Sequence, residues 1–184
     1  MVRKMVYDAY IFAENAHVGQ TRKWNGGEYF RHCVAVADLA NDFMFKVPEY
    51  FPQVDEEEVI AAALLHDVVE DTDVTIEQIS EKFGETVARY VYFLTKPEEY
   101  VGNREVRKAL YRAQMALAPP EIKMVKFFDM LHNHSTIRDN DKAFWITWKD
   151  ESIKMMIAME VQNLYSGLLH IENKEFWLRL SEED

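Results

Sequence analysis

The segment LLHDVVEDTDVT, Leu64 to Thr75, brings His66, Asp67, Glu70 and Asp71 into little more than one helical turn. Carboxylates so close repel one another, and burying any of them is costly without a positive partner. On a helical wheel with His66 at zero, Asp67 falls at about 100°, Glu70 at about 40° and Asp71 at about 140°. Val68 and Val69 then occupy the other side, so one face is ligand-like and the other can pack. A solvated acidic face with an incidental histidine would have the same spacing.

A second cluster lies in KFFDMLHN, where Lys126, Asp129 and Asn133 stand at i−3, i and i+4 on one helical arc. Phe127, Phe128 and Leu131 fall on a different side, and an aspartate among them is an expensive core residue unless it has a task. Upstream, YFRHCVAVADLA places a single imidazole, His32, in an apolar helix; alone, such a histidine is more often a hydrogen-bonded core residue than a ligand. Taken together, His32, His66, Asp67 and Asp129 offer two imidazoles and two carboxylates from three helices. That mixed nitrogen and oxygen set suits one divalent ion with positions left for water or substrate. Glu70 and Asp71, one turn away, would then manage protons or hold the attacking water.

The composition narrows the partner. The 184 residues carry a formal net charge of −11, which opposes a broad duplex nucleic-acid surface, since a phosphate backbone needs a cationic field. A small anionic ligand held by local Arg and Lys is still compatible. Hydrophobic residues make up 48% and aromatics 13%, the profile of a folded protein, and the length fits a single domain. Cys33 is the only cysteine, so neither an internal disulfide nor a Cys-rich zinc site can form. No apolar run approaches the roughly 18 residues of a spanning helix, and Asp8 interrupts any signal-like N-terminal segment. The expectation is a cytoplasmic protein with no membrane partner.

The elements that must position these groups read as helices. Met5, Ala9, Phe12 and Ala16 mark a first amphipathic helix ending near Gly19. A second runs from Tyr29 to Phe45, before Pro48 and Pro52. The acidic VDEEEV opens a third, its carboxylates suited to the positive end of the helix dipole, and that helix is expected to continue through IAAALLHDVVED. Thr75 to Gln78, TIEQ, fits a capping box, and Gly84 ends the short helix that follows. Further helices are expected over Glu85 to Thr95, Arg104 to Leu117, Ile122 to His132 and Glu151 to His170. Period-2 strand patterns are absent, so the class is all-α.

At these same residues the chain resembles the HD-domain phosphohydrolases, and within them the hydrolase domain of the Rel/Spo alarmone family. The likeness rests on AHVGQTRK, on HDVVEDTDVTIEQISEKFGETVARYVYFLTK with its HDxxED pattern, and on LHN following Asp129; it runs from about Tyr7 to Asp139. It implies an all-helical HD-domain bundle binding one Mn2+ through His32, His66, Asp67 and Asp129, with Glu70 and Asp71 activating the water. It also implies nucleotide contacts from Arg22, Lys23 and Asn133, and removal of the 3′-pyrophosphate from guanosine tetra- or pentaphosphate. A length of 184 residues leaves no room for a synthetase domain. The chain departs from the family in the loop RKWNGGEYFRH, which is one residue longer and carries Trp24. It departs again at Met130 and Ser135, where relatives commonly have arginine.

Lys126 adds a further cation one turn before Asp129, so the expected substrate contacts are Arg22, Lys23, Lys126 and Asn133. Trp24 is placed either to stack on a base or to pack. The basic run Arg104, Arg107, Lys108 and Arg112 is either a solvated face or a guide for an anion. His17 is expected to be structural, His132, His134 and His170 to be surface or packing residues, and the FWLRL tail near Phe176 to close the core. Phosphate removal from NADPH or a deoxynucleotide, and nucleotide sensing without turnover, are the competing functions; retention of both Glu70 and Asp71 speaks against the sensor.

Overall fold

A computed structural model of the chain describes residues 3–96 and 101–160, the Ser135 side chain excepted. His170, the FWLRL segment and the last part of the expected Glu151 to His170 helix lie outside those residues. The described residues form helices α1 (Lys4–Ala16), α2 (Phe30–Lys46), α3 (Glu56–Leu65), α4 (Val68–Asp71), α5 (Ile76–Phe83), α6 (Glu85–Leu94), α7 (Arg104–Ala116), α8 (Pro120–Asn140) and α9 (Lys142–Ala158). Among them there is no strand; a single antiparallel bridge, Thr21 to Glu28, closes the loop between α1 and α2. None of the helices is long and apolar enough to cross a membrane.

The centre of the bundle is α3. Every residue from Val59 to Leu65 is buried, and a helix apolar all round must sit inside a protein. Its three consecutive alanines let α1 and α2 pack closely on one side while α6 packs on another. The Asp55 carboxylate caps its start by accepting from the Glu57 amide at 2.9 Å. The capping box at α5 is present: the Thr75 amide donates to Gln78 Oε1 at 2.9 Å and the Gln78 amide to Thr75 Oγ1 at 3.4 Å. Gly84 supplies the φ of +89° that joins α5 to α6, a value side-chain-bearing residues rarely adopt. Pro120 stands in the first turn of α8, where its missing N–H goes unmissed.

Two expectations about elements are corrected. The third helix does not run unbroken through HDVVED. The His66 imidazole donates from Nδ1 to the Ala63 carbonyl at 2.8 Å, occupying the acceptor that the Asp67 amide would use in a continuing helix. The chain turns at His66 and Asp67 and restarts as α4. The helix expected over Ile122 to His132 runs from Pro120 to Asn140, and the next begins at Lys142 rather than Glu151; the Asp141 side chain caps the latter through the Phe144 amide at 2.9 Å.

Candidate metal centre and active-site cavity

His32 projects from α2, Asp129 from α8, and His66 and Asp67 from the turn between α3 and α4. The packing of α2 on α3 and α8 brings all four together. Nε2 of His32 lies 3.1 Å from Asp129 Oδ1, 3.6 Å from Asp67 Oδ2 and 3.3 Å from Nε2 of His66. Nε2 of His66 lies 3.1 Å from Asp67 Oδ2 and 3.8 Å from Asp129 Oδ1. Each carboxylate therefore borders both imidazoles, and both imidazoles are about 98% or more buried.

These donors fit a divalent ion. Neighbouring ligands around an ion with bonds of about 2.1 Å lie roughly 3.0 to 3.4 Å apart in octahedral or tetrahedral geometry. Three of the spacings above, 3.1, 3.1 and 3.3 Å, fall in that range, and the other two, 3.6 and 3.8 Å, lie a few tenths of an ångström beyond it. The His66 tautomer is also suitable: with Nδ1–H given to Ala63, its Nε2 lone pair faces the cluster. The Cys33 sulfur makes an alternative grouping with His66 and Asp67. Burial and the charges of Asp67 and Asp129 push its thiol far above its ordinary range, and a thiol held protonated is a poor ligand.

The charges explain why this cluster is stable as folded. Burial pushes the Asp129 carboxyl up, but Lys126 and the His32 hydrogen bond hold it well below the usual range. Lys126 Nζ lies 2.6 Å from Asp129 Oδ2, and that contact outweighs burial to raise its own pKa well above normal. Burial likewise opposes ionisation of His66, yet Asp67 and Asp129 raise its imidazole to about 9. At His32, burial and the facing His66 charge outweigh Asp129 and Asp67, and its imidazole is lowered.

The other predicted residues surround the cluster. Asn133 Nδ2 donates to Asp129 Oδ1 at 2.7 Å, and its Oδ1 accepts from Arg22, so Arg22 is tied to the His-Asp cluster through one amide. Glu70 and Asp71 line a cavity that Asp67 and Asp129 also line. Glu70 pairs with Lys96. The carboxyl of Asp71 is raised, by burial and by the charge of Asp67. Lys23 is exposed, its ammonium 4.8 Å from the Trp24 ring centroid, and Trp24 itself stacks on Phe144 at 5.9 Å. Trp24 therefore packs, and it also lines the cavity. Met130 is buried and lines the cavity. His17 is structural: its Nδ1–H faces Gln20 Oε1 at 2.8 Å, and Gln20 donates to the Asp71 carbonyl at 2.7 Å, steadying α4.

Sequence reasoning missed several neighbours. His132 is neither a surface nor a plain packing residue: its Nδ1 is 2.7 Å from Nδ1 of His32. Burial, with the charges of His32 and Arg22, lowers it to about 4, so its neutral ring offers His32 Nδ1 an acceptor, and a His32 tautomer that used it would give up the Nε2–H bond to Asp129 and turn that nitrogen's lone pair to the cluster. Its position three residues after Asp129 was the available signal. Tyr29, three before His32, donates its hydroxyl to Asp67 Oδ2 at 2.7 Å. No local spacing points to Lys96, because its partner Glu70 is on another element. His134 is buried edge-on against Trp145 at 4.7 Å.

The cavity measures about 310 Å³, and Arg22, Lys23, Lys96, Lys108, Arg112 and Lys126 all line it. In a chain of net charge −11, this concentration of cations beside a carboxylate-rich centre can neutralise a polyanion while a bound ion works on one end of it.

Known proteins resemble this chain in sequence and fold. A protein of Aquifex aeolicus named guanosine-3′,5′-bis(diphosphate) 3′-pyrophosphohydrolase is 36% identical over 163 residues, covering 88% of this chain and 20% of that one. The bifunctional (p)ppGpp synthase/hydrolase SpoT of Escherichia coli is 30% identical over 173 residues, covering 91% and 22%. The chain thus spans about a fifth of the length of the curated relatives it matches. A solved structure of a metazoan ortholog of SpoT, described as hydrolyzing ppGpp, superposes with a TM-score of 0.73 at 25% identity, over 86% of this chain and 87% of that one. A family model described as HD domain matches residues 9–170. By that match, and with the all-helical fold and the His-Asp cluster already in place, the chain belongs to the HD-domain family.

Proposed function

We propose that this chain is a Mn2+-dependent phosphohydrolase that removes the 3′-pyrophosphate of guanosine tetra- or pentaphosphate. One juxtaposition carries the proposal: Asp67 and Asp129, which border the buried imidazoles of His32 and His66, line one cavity with Glu70, Asp71 and six Arg or Lys side chains. The activities for which the Aquifex and Escherichia coli relatives are named, and the ppGpp hydrolysis attributed to the metazoan structure, support the same substrate. The partner is a small cytoplasmic nucleotide rather than duplex nucleic acid.

In this account His32, His66, Asp67 and Asp129 hold the ion. When bound, a divalent ion supplies Lewis-acid polarisation of the phosphoryl group and acidifies water. Asp71 is the better proton acceptor of the two neighbouring acids, because its raised pKa brings it closer to neutrality. Glu70, held by Lys96, orients the water. Arg22, Lys23 and Lys126 neutralise phosphate oxygens, and Asn133 keeps Arg22 and Asp129 in register.

The test is to incubate purified protein and Mn2+ with guanosine tetraphosphate, its adenosine analogue and NADPH, and to resolve the products by chromatography. Pyrophosphate and GDP from the guanosine alarmone are expected. Orthophosphate from NADPH with the alarmones intact would assign a different phosphatase activity.

A further inference from the structure

The metal cluster and its nearest cations do not exhaust the charge in the cavity. Lys108 and Arg112 also line it, and they come from α7, an element that supplies none of the proposed metal ligands. They stand four apart on that helix, where like charges repel. Such a pair is best accommodated when an anion lies between its members.

The local ion pairs leave charge over. Glu151 of α9 is engaged by Arg104 through two contacts of 2.5 and 3.0 Å, and Lys108 reaches the same carboxylate only at 3.2 Å. Arg112 spends one nitrogen on Glu105 at 2.9 Å, an acid whose side chain is 61% exposed, while its own is 16% exposed. Its other terminal nitrogen, Nη1, is buried with no hydrogen-bond partner among the described residues. A buried guanidinium donor left unmatched is unusual, since such groups nearly always find an acceptor. Burial also pushes the Lys108 ammonium below its ordinary range; Glu151 opposes this, while Lys96 and Lys126 add to it. Three cations, Arg104, Lys108 and Arg112, therefore share two carboxylates, and of the three Lys108 and Arg112 line the cavity.

We propose that Lys108 and Arg112 form a second anion subsite that binds the 5′-phosphoryl groups of the nucleotide whose 3′ end lies at the metal cluster. The subsite rests on the hydrolase proposal for its orientation, and it makes the cavity selective for nucleotides phosphorylated at both ends of the ribose. Arg112 Nη1 donates to a 5′-phosphate oxygen, and Lys108 exchanges its longer contact with Glu151 for a charge-assisted one with the same group.

The experiment uses Mn2+-loaded protein and two kinds of measurement. In turnover, guanosine tetraphosphate is compared with guanosine 3′-diphosphate, which has no 5′ phosphates. Wild type should favour the former at least tenfold, chiefly through KM, and Lys108→Met or Arg112→Gln should erase most of that preference. Arg112→Lys keeps the charge and should retain part of it, which separates the role from a folding defect. In calorimetry, GDP should bind wild type at least tenfold more tightly than guanosine does, and the two charge-removing variants should lose that margin. Loss of the margin in a protein that cuts no alarmone would uphold the subsite and overturn the hydrolase proposal. Alarmone cleavage with no dependence on 5′ phosphates or on these side chains would do the reverse. Equal binding of GDP and guanosine by wild type would also overturn the subsite.

Discussion

Replacing Lys126 with methionine should destabilise the metal-free protein strongly, the metal-loaded protein weakly, and tighten metal binding. The ammonium and the Asp129 carboxylate are 2.6 Å apart, with side chains 14% and 8% exposed, and the ammonium also lies 5.4 Å from the centroid of the buried Tyr111 ring. Methionine keeps the stem and its packing but strands Asp129. Breaking a buried pair from one side costs about 3–5 kcal/mol; the residual exposure argues for the lower end, about 3 kcal/mol. For a chain of this size that lowers Tm by roughly 6–12 °C. With an ion present, Asp129 keeps a positive partner, and the loss should shrink to about 1 kcal/mol, the scale of an ordinary hydrogen bond. The difference of about 2 kcal/mol must reappear as metal affinity, because linkage is reciprocal. The variant should therefore bind Mn2+ about 30-fold more tightly than wild type. Thermal denaturation with and without chelator, together with calorimetric Mn2+ titration, measures both sides of this cycle. Equal destabilisation in the two states, or weaker metal binding, would refute the idea that Lys126 and the ion share Asp129.

Glu70→Gln and Asp71→Asn should each bind one Mn2+ per chain yet lose about 10²- to 10⁴-fold in kcat, the range for removing a general acid or base; metal analysis alongside turnover checks both. Arg22→Ala should raise KM about tenfold or more with a smaller effect on kcat, as when a ground-state phosphate contact is lost. The His66 pKa, raised to about 9 in the metal-free fold, makes two pH predictions. The charged imidazole stabilises the metal-free protein fully below its unfolded value of about 6.5, and that stability is lost as pH rises through 9. Metal must displace the same proton, so Mn2+ affinity should fall about tenfold for each pH unit below 9, measurable by titration in buffers of stepped pH.

Much of the site was legible because its residues obey local spacing. Asp129, Lys126 and Asn133 share an arc on α8, and the structure joins them by direct hydrogen bonds. The capping box at Thr75 was equally local. The HDVVED segment was harder: its wheel assumed an unbroken helix, and a side chain to main chain bond from His66 to Ala63 broke it. The interruption leaves Asp67 as the residue before α4 rather than a residue within α3, and that is how His66 and Asp67, adjacent in sequence, meet the same pair of groups. Lys96 on Glu70, Arg22 on Asn133 and His132 on His32 are products of tertiary packing, and their separations of 26, 111 and 100 residues carry no periodic signal. The resemblance to the hydrolase family supplied the convergence of α2, α3 and α8 that spacing alone left open.

If the His-Asp cluster holds one divalent ion required to cut the 3′-pyrophosphate of the guanosine alarmone, turnover must follow the ion. The most direct test is turnover of guanosine tetraphosphate by metal-stripped protein as Mn2+ is added back, with bound metal and products quantified in the same samples. Turnover should be absent without the ion, activity should saturate near one Mn2+ per chain, and GDP and pyrophosphate should appear in equal amounts. Undiminished turnover by the stripped protein, orthophosphate as the released product, or an intact alarmone at full metal occupancy would contradict that assignment.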